Sequence, residues 1–456
     1  MNRYVTQHRR DAMALVTASV SLTWAELSTE SSRLAHFLER VAPEARHIGL
    51  RAVNSADYVI AVHAIQLLGK VLVPLNTRLT MSELAGQIET ADIDVLLVDE
   101  PIELSITQFA LTSRDEASLA TPHDWKDDDV MSLMFTSGTT GRAKAVQQTF
   151  GNHVASAEAS QKHLGYEGSN RMLVVTPLFH MSGLAQVYRS ARFGSTLYVE
   201  PKFDVIRTLE LIESEQITHI SLVAVMLQRL LETGLSRHQL QLLLVGGGPV
   251  PRPLLEEAKR RGLPVAQTYG MTETCSQVAT LLPSEALARI GSSGQAITPT
   301  KIRINADGEI EVSGPTVTPG YYKQSEADTW TEDGYWRTGD LGTMTNGYLY
   351  VHDRRSDLII SGGENIYPAE IESVLLRCPG IQDVGIVGRH DPIWGAVPVA
   401  FTVGTFDRDE AKRLLHAHLA SYKHPKAWIS VDELPRNANG KLMRHRLKEA
   451  DHDSTR

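Results

Sequence analysis

Residues 136 to 144 of the chain read Thr136-Ser137-Gly138-Thr139-Thr140-Gly141-Arg142-Ala143-Lys144. Glycines let a backbone approach phosphate oxygens closely, hydroxyl groups donate hydrogen bonds to them, and a lysine supplies positive charge. This stretch therefore predicts a phosphate-binding loop. It differs from the Walker loop, which needs Gly-x-x-x-x-Gly-Lys, because Gly138, Gly141 and Lys144 are spaced three apart. Taken alone, the same composition also fits a flexible turn.

The residues around this loop alternate between helical and strand-like patterns. Residues 56–68 and 81–90 have helical character, whereas residues 71–74 and 95–98 are short apolar runs typical of strands. Further apolar runs end in polar or glycine-rich loops, at residues 133–135, 173–175 and 242–245. In open α/β sheets, ligands bind beyond the carboxyl ends of the strands. The pattern predicts an α/β fold with its site at these loops.

The pattern changes after Gly294. Short strands at residues 301–304, 309–312 and 348–351, with Asp-Gly and Asn-Gly turns, predict a small β-rich region. Mixed strands and helices then fill about 100 residues, which is typical of a compact α+β domain. We predict a large N-terminal domain of layered α/β subdomains plus the β-rich region (residues 1–355), and a smaller α+β C-terminal domain (residues 356–456).

Composition limits the class of protein. A chain of 456 residues exceeds one ordinary core, and 42% hydrophobic and 22% charged residues are globular values. The net charge of -9, without a sustained Lys/Arg run, disfavours nucleic acid and anionic lipid as partners. The two cysteines, Cys275 and Cys378, are too far apart for a short metal or redox motif.

The sequence gives weaker indications of the cellular compartment and of the oligomeric state. Two separated cysteines favour a reducing compartment. The polar N-terminus and the lack of a long apolar stretch predict neither a signal peptide nor a membrane span. We therefore expect a cytoplasmic protein, and the sequence leaves its oligomeric state open, a homo-oligomer included.

Further segments follow the phosphate loop in order: Tyr269-Gly270-Met271-Thr272-Glu273-Thr274, Thr338-Gly339-Asp340, Arg354-Arg355-Ser356-Asp357, Ser361-Gly362-Gly363-Glu364-Asn365 and Pro435-Arg436-Asn437-Ala438-Asn439-Gly440-Lys441. Together they resemble the signature segments of the adenylate-forming superfamily, which includes acyl-CoA synthetases, peptide-synthetase adenylation domains and luciferases. The resemblance covers nearly the whole chain. It implies an enzyme that adenylates a carboxylate with ATP and Mg²⁺ and then transfers the acyl group to CoA.

The resemblance also implies a position for each part of ATP. The loop from Thr136 to Lys144 would hold the β- and γ-phosphates, and Glu273 would serve Mg²⁺. Adenine would lie between the strip at residues 247–249 and the ring of Tyr269. The ribose hydroxyls would bind Asp340 and Arg354. The complete implied ATP set is Thr136, Ser137, Gly138, Thr139, Thr140, Gly141, Lys144, Gly247, Gly248, Pro249, Tyr269, Gly270, Met271, Thr272, Asp340, Arg354 and Lys441.

The chemistry implied by the resemblance has two steps with different demands. Lys441 would bridge the acid and the α-phosphate during adenylation, although an exposed lysine near a chain end is ordinarily a surface residue. The C-terminal domain would be mobile, with Ser356 as its hinge, and would present Gly362, Gly363 and Glu364 to the CoA channel. The catalytic residues implied in this way are Lys441, His180, Thr140 and Glu273.

Departures from the family pattern are confined to small residues near the ATP segments. Ala143 and Ala145 stand where the family usually has proline and glycine, and Asp353 replaces a common glycine. None of the three removes a chemical group, and the sequence leaves open how Ala143 and Ala145 affect the stiffness of the loop and its affinity for ATP.

The acid is indicated by residues 179–183, Phe-His-Met-Ser-Gly. Relatives that activate amino acids carry an aspartate in place of His180, so an amino acid is not expected. Residues 146–153, 244–249 and 274–277 resemble the o-succinylbenzoate:CoA ligases of menaquinone biosynthesis. The second carboxylate of that substrate needs a cation, for which Arg189 is the candidate; a solvated surface arginine is the alternative. The substrate-binding residues implied are His180, Ser182, Arg189, Gly246, Thr268 and Gly294.

Other functions share most of these features. A CoA ligase for another aryl or medium-chain acid would carry the same ATP-binding segments. A non-catalytic paralogue that senses AMP or acyl-CoA belongs to a different class, and a sensor would not need Lys441.

Overall fold

The computed structural model describes residues 10–116, 119–137, 143–235, 238–247, 250, 252–324, 329–354, 358–435, 442, 444 and 446–448. The helices are α1 (Trp24–Val41), α2 (Ala56–Leu67), α3 (Met81–Thr90), α4 (Phe150–Leu164), α5 (Met181–Phe193), α6 (Val205–Ser214), α7 (Ala224–Thr233), α8 (Arg252–Arg260), α9 (Pro368–Leu375) and α10 (Arg408–His418). Two short 3₁₀ helices are Thr272–Thr274 and Ser421–Lys423.

The strands fall into four sheets and are numbered along the chain. They are β1 (Met13–Val16), β2 (Ser21–Thr23), β3 (His47–Arg51), β4 (Val71–Pro74), β5 (Val95–Val98), β6 (Thr107–Ala110), β7 (Val130–Ser137), β8 (Ala143–Thr149), β9 (Arg171–Val174), β10 (Thr196–Val199), β11 (His219–Val223), β12 (Leu242–Gly246), β13 (Val265–Met271), β14 (Ser276–Leu281), β15 (Gln295–Ala296), β16 (Lys301–Ile304), β17 (Glu309–Ser313), β18 (Trp336–Thr345), β19 (Tyr348–Arg354), β20 (Ile359–Ser361), β21 (Glu364–Ile366), β22 (Asp383–Asp391), β23 (Gly395–Val403) and β24 (Ala427–Ser430).

A six-stranded sheet in the order β6-β5-β3-β4-β7-β8 forms one layer of the N-terminal part. Its strands are parallel except for the antiparallel pair β7 and β8. Helix α2 is apolar around its whole circumference and is buried along its length, as such a composition predicts. The pair β7–β8 places Thr136 directly opposite Lys144. Both ends of the predicted phosphate loop are therefore held by one strand pair.

A nine-stranded sheet in the order β15-β14-β13-β12-β11-β9-β10-β1-β2 forms the second layer. Strands β9, β11, β12 and β13 are parallel neighbours, so their carboxyl ends meet at one edge. His180, Gly247 and Glu273 follow three of these ends along the chain. The α/β class is confirmed. The position predicted for the site stays a prediction, and the three candidate residues follow the strand ends on which it was based.

The β-rich region predicted after Gly294 is a four-stranded antiparallel sheet, β16-β17-β18-β19. Its last hairpin turns at Asn346 and Gly347, which have φ angles of 51° and 80°. Asparagine and glycine tolerate these left-handed conformations, and two of them in succession suit a tight hairpin. The register of β18 and β19 places Asp340 opposite Arg354.

The C-terminal part has its own sheet and its own core. The sheet order is β21-β20-β23-β22, and β24 pairs in parallel with β23. Helices α9 and α10 pack with it around buried Ile371, Ile386 and Leu415. This is the predicted α+β character. In the described residues, none of the helices has the length and apolar character needed to cross a bilayer.

A buried ion cluster joins the C-terminal part to helix α3. Lys423 is 4% exposed, and its Nζ lies 2.8 Å from Glu83 Oε1 and 3.0 Å from Glu370 Oε2. Burial opposes the charge on Lys423, but Glu370, Tyr422 and Glu83 outweigh it and raise the pKa of the lysine. The backbone N–H of Ala420 also donates to Glu83 over 3.1 Å. The two parts of the chain are thus joined by charged groups withdrawn from water.

Two helical glycines, Gly183 and Gly86, differ in how closely other atoms pack around them, and substituting each one tests the packing where α5 begins. A Cβ on Gly183, in the first turn of α5, would lie 2.3 Å from Pro177 O, whereas a Cβ on exposed Gly86, in α3, would meet nothing within 4 Å. We expect Gly183→Ala to lower the free energy of unfolding, because the backbone after β9 must move. Gly86→Ala should raise it by about 0.5–1 kcal/mol through helix propensity. Chemical denaturation measures both, and equal effects would contradict this packing.

Candidate active site

The phosphate loop is anchored where β7 ends and β8 begins. Thr136 and Lys144 face each other across this pair, and Ser137 is the last residue of β7. Lys144 Nζ lies 4.6 Å from the centre of the Tyr321 ring. Gly138, Thr139, Thr140 and Gly141 lie outside the described residues, so their contacts with phosphate stay predictions.

Glu273 lies beside these strands, in the 3₁₀ turn that follows β13. It is 6% exposed, and Tyr321 Oη donates a hydrogen bond to its Oε1 over 3.0 Å. Gln148 of β8 donates to the carbonyl of Thr272 in the same turn. Mg²⁺ is commonly held by one or two carboxylates, with water and phosphate oxygens as its other ligands. A buried carboxylate next to the ends of the phosphate loop fits that ion.

The backbone just before the turn that carries Glu273 is packed too closely for a side chain at position 270. A Cβ on Gly270 would lie 1.7 Å from Ser276 O, which explains the glycine. The backbone N–H of Met271 donates to Thr274 Oγ1 over 3.1 Å, and the Thr274 hydroxyl donates back to Met271 O over 3.0 Å. Gly270, Met271 and Thr272 therefore shape the turn, and their direct contacts with ATP stay predictions.

The predicted nucleotide residues Tyr269 and Asp340 are in contact. Tyr269 is 6% exposed, and its hydroxyl donates to Asp340 Oδ2 over 2.7 Å. A ring for adenine and a carboxylate for the ribose diol are thus adjacent, as their predicted roles require. Arg354 is opposite Asp340 in the β18–β19 register. Nothing is described of its side chain.

The glycine strip predicted for adenine begins at the end of β12. Gly247 has a φ of 82°, a left-handed conformation that favours glycine. A Cβ on Gly246 would lie 3.1 Å from Thr268 Cγ2, so the two predicted substrate residues Gly246 and Thr268 are neighbours. Gly248 and Pro249 lie outside the described residues.

His180 is at the start of α5, facing the C-terminal part of the chain. Its Nε2 lies 3.3 Å from Glu364 Oε2, and Arg78 also pairs with Glu364. Burial and the charge of Arg78 lower the pKa of His180 to about 4, so the imidazole is neutral at physiological pH. A Cβ on Gly363 would lie 3.4 Å from Val223 Cγ1, and the N–H of Gly362 donates to Trp394 O over 2.8 Å. Of the predicted CoA-channel residues, Gly363 and Glu364 thus contact the N-terminal part, whereas the contact of Gly362 is within the C-terminal part.

Arg189 is buried inside the protein, not on its surface. It is 1% exposed, its Nη2 lies 3.0 Å from Gln277 Oε1, and its guanidinium lies 5.4 Å from the centre of the Tyr166 ring. The alternative of a solvated surface arginine is therefore wrong. In the part of the chain that is described, no Asp or Glu side chain forms an ion pair with Arg189. Its hydrogen bonds go to the neutral side chains of Ser276 and Gln277.

The remaining predicted substrate residues differ in their surroundings. Thr268 is linked to Arg189 through Gln277, whose Nε2 lies 3.4 Å from Thr268 Oγ1. Ser182 is exposed in the first turn of α5. Gly294 is buried with a φ of 92°, and a Cβ there would lie 1.9 Å from Thr280 C, so close backbone packing explains the glycine. A substrate contact at Gly294 stays a prediction.

Two predicted catalytic residues, Lys441 and Thr140, lie outside the described residues. The predicted hinge residue, Ser356, lies outside them as well. Four residues that sequence reasoning missed contact the candidate site residues or join the two parts of the chain, namely Arg78, Glu83, Tyr321 and Lys423. Of these, only Glu83 carried a sequence signal, since Thr80-x-x-Glu83 is a capping box that both hydrogen bonds bear out.

A tyrosine ring beside a carboxylate, a second buried carboxylate near the ends of a Ser/Thr/Gly loop and a C-terminal part that contacts this region are typical of enzymes that activate acids as adenylates. The chain belongs to the AMP-binding enzyme family, which matches residues 2–322, and the C-terminal domain of AMP-binding enzymes matches residues 370–441. It is 42% identical to the 2-succinylbenzoate–CoA ligase of Bacillus velezensis, over 96% of this chain and 95% of that protein.

Two solved structures of the o-succinylbenzoate CoA synthetase of Bacillus subtilis extend the comparison. A double mutant bound to its product analogue OSB-NCoA superposes with a TM-score of 0.92, at 40% identity over 98% of this chain and 97% of that one. The complex with ATP and magnesium ion superposes with a TM-score of 0.74, at 39% identity over 97% and 98%. At nearly equal identity, the present structure therefore superposes more closely on the product-analogue complex than on the ATP complex.

Proposed function

We propose that the chain is an ATP-dependent ligase that adenylates o-succinylbenzoate and transfers the acyl group to CoA. The products are o-succinylbenzoyl-CoA, AMP and pyrophosphate, a step of menaquinone biosynthesis. The observation that carries the choice of acid is the buried guanidinium of Arg189, which has no acidic partner in the described residues and is linked through Gln277 to the predicted substrate residue Thr268. Full-length similarity to 2-succinylbenzoate–CoA ligases supports it.

The first step joins the acid to AMP. A carboxylate oxygen attacks the α-phosphorus, the bond to the bridging oxygen of the β-phosphate breaks, and pyrophosphate leaves with the electron pair. Lys144 and the hydroxyls of the phosphate loop would hold the leaving charge, and Glu273 would hold the Mg²⁺ that neutralises part of it. Lys441 is proposed to bridge the acid and the α-phosphate.

The second step moves the acyl group to sulfur. The CoA thiol loses its proton, its sulfur attacks the carbonyl carbon of the acyl-adenylate, and AMP leaves. No covalent intermediate with the enzyme is needed. His180 is neutral and close to the channel face formed by Gly363 and Glu364, so it can order the approach of the thiol without adding charge.

A direct test is formation of the CoA thioester from o-succinylbenzoate with ATP and Mg²⁺, followed by mass spectrometry. Benzoate and a medium-chain fatty acid serve as comparison acids. The proposal expects a large preference for o-succinylbenzoate in kcat/KM. Equal use of the comparison acids would favour a broader acid:CoA ligase, and no pyrophosphate release with any acid would remove the enzyme assignment.

Arg189 supplies a physical reason for this preference. A buried cation without a counter-charge is costly, and a substrate that brings a second carboxylate relieves that cost. A charge-assisted hydrogen bond contributes about 1.5–3 kcal/mol, which corresponds to about ten- to hundredfold in affinity. Binding to Arg189 would therefore favour a dicarboxylate over its monocarboxylic analogue.

Substitution of Arg189 tests the contact. Arg189→Gln should raise KM for o-succinylbenzoate about ten- to hundredfold, because one charge-assisted contact is lost, while KM for ATP barely changes. The same variant should lose little with 4-phenyl-4-oxobutanoate, which lacks the second carboxylate. If both acids suffer alike, Arg189 has a packing role and another residue binds the carboxylate.

The two steps are proposed to use different orientations of the C-terminal domain, residues 356–456, with Ser356 as the hinge. The present arrangement resembles the product-analogue complex more than the ATP complex, by TM-scores of 0.92 and 0.74. In this arrangement Glu364 contacts His180 and Gly363 contacts Val223. This contact supports the proposal that the thiol arrives beside His180. Adenylation would need a rotation that brings Lys441 to the same place.

The role of Lys441 is tested on the separate steps. Lys441→Ala should slow formation of the acyl-adenylate by several orders of magnitude, because the bridging cation is absent from its transition state. Thioester formation from supplied acyl-adenylate should remain close to wild type. Rapid-quench measurement of both steps decides, and an equal loss in both would remove the assignment.

The ion cluster at Lys423 should act on the opposite step. Glu83→Gln removes one of the two carboxylates that hold buried Lys423, and should weaken the present arrangement. We expect slower thioester formation from supplied acyl-adenylate and unchanged adenylation. Glu89→Gln, on the exposed face of the same helix, is the matched control. A loss confined to adenylation would show that the cluster stabilises the arrangement used for adenylation and not the one used for thioester formation.

A further inference from the structure

We propose that Tyr321 is a positioning residue for ATP, because it holds the carboxylate of Glu273 and the ammonium of Lys144 in one fixed relation. The inference rests on the proposed function, since it concerns the binding of Mg²⁺ and ATP by that same site. It adds a residue from a loop that lies outside the phosphate loop and outside the turn of Glu273.

The loop is bonded to both of the segments that it would align. It consists of residues 317–322 and follows β17. On one side, Gln147 N–H of β8 donates to Gly320 O over 2.9 Å, and Tyr322 N–H donates to Ala145 O over 2.8 Å. On the other side, Thr318 N–H donates to the carbonyl of Glu273 over 2.8 Å. The backbone of this loop therefore ties the strand that leaves the phosphate loop to the turn that carries the carboxylate.

The side chain of Tyr321 connects the same two segments, because it contacts a charged side chain of each. Its hydroxyl donates to Glu273 Oε1 over 3.0 Å, and Lys144 Nζ lies 4.6 Å from the centre of its ring. The ring itself is held by an edge contact with Trp336, which is 1% exposed, at 5.5 Å between ring centres. One rigid aromatic side chain thus contacts both charged groups and is anchored in the core behind them.

Two physical effects follow from these contacts. A hydrogen bond to one oxygen of a metal-binding carboxylate fixes the plane of the carboxylate, and loss of such a partner typically weakens metal binding about ten- to hundredfold. An aromatic face within 6 Å attracts an ammonium group and restricts where it lies. The hydroxyl should therefore matter for binding that involves Mg²⁺, and the ring should matter for binding of the nucleotide whether or not Mg²⁺ is present.

The test separates the hydroxyl from the ring by measuring ATP binding in the absence of acid and CoA, so that no turnover occurs. Titration calorimetry on the full chain gives Kd for ATP with Mg²⁺ and with EDTA. Tyr321→Phe should weaken binding about ten- to hundredfold with Mg²⁺ and leave the EDTA value unchanged. Tyr321→Leu should weaken binding under both conditions, because the face beneath Lys144 is lost.

Tyr322→Phe is the matched control. It also removes a tyrosine hydroxyl, but that group donates to exposed Asp92, over 2.8 Å, on the far side of the loop. Its Kd for ATP should equal that of the wild type under both conditions. Thermal unfolding of all variants is measured alongside, because Tyr321→Phe keeps the ring against Trp336 and should keep its Tm.

The outcomes are distinguishable. A selective loss with Mg²⁺ for Tyr321→Phe supports the inference. Unchanged Mg²⁺–ATP binding in Tyr321→Phe, or an equal loss with and without Mg²⁺ accompanied by a lower Tm, overturns it in favour of a packing role. Failure of the wild-type protein to bind Mg²⁺–ATP would overturn the proposed function instead.

Discussion

The antiparallel pairing of β7 with β8 is the constraint on which the site depends. It places Thr136 opposite Lys144 at the two ends of the phosphate loop, so the loop begins and ends on one rigid ribbon. The loop of residues 317–322 bonds to the other edge of β8, and the turn of Glu273 bonds to that loop. Glu273 and Lys144, the residues proposed for Mg²⁺ and phosphate, both contact Tyr321 although they are 129 positions apart in the chain. Charges of opposite sign on ATP and the enzyme can then meet with little rearrangement.

Much of this arrangement could be predicted from local sequence. Apolar runs that end in glycine-rich loops predicted the parallel strands, and the structure has them as β9 and β12. The hairpin at Asn346-Gly347 was readable because those residues tolerate positive φ. The adjacency of Tyr269 and Asp340 agrees with the roles that the family resemblance implied. Each of these signals lies within a few residues of the feature that it predicts.

The missed features depend on contacts between distant segments. Tyr321 is an isolated aromatic residue in a loop, and nothing near it in sequence shows that its hydroxyl reaches Glu273. Lys423 meets Glu83, 340 residues away, only after two parts of the chain have docked. From the sequence, Arg189 was as well suited to the surface as to the interior, because the burial of a charged helical residue depends on what packs over it. In the structure, Gln277 and Tyr166 pack against Arg189. Conversely, Lys441 was predicted by its motif, yet it lies outside the described residues.

The charged character of the contact between the two parts of the chain has a consequence for handling in solution. Lys423, Glu83 and Glu370 are withdrawn from water in the present contact, and the rotation proposed for adenylation would return charged groups to water at this point. An apolar contact of similar extent would expose hydrophobic surface whenever the two parts separated, and such surface promotes self-association. A contact formed by charged side chains would instead expose a hydrophilic surface at this point. Colloidal stability at working concentrations should therefore be insensitive to how often the two parts come apart, and added salt should loosen the contact without precipitating the protein.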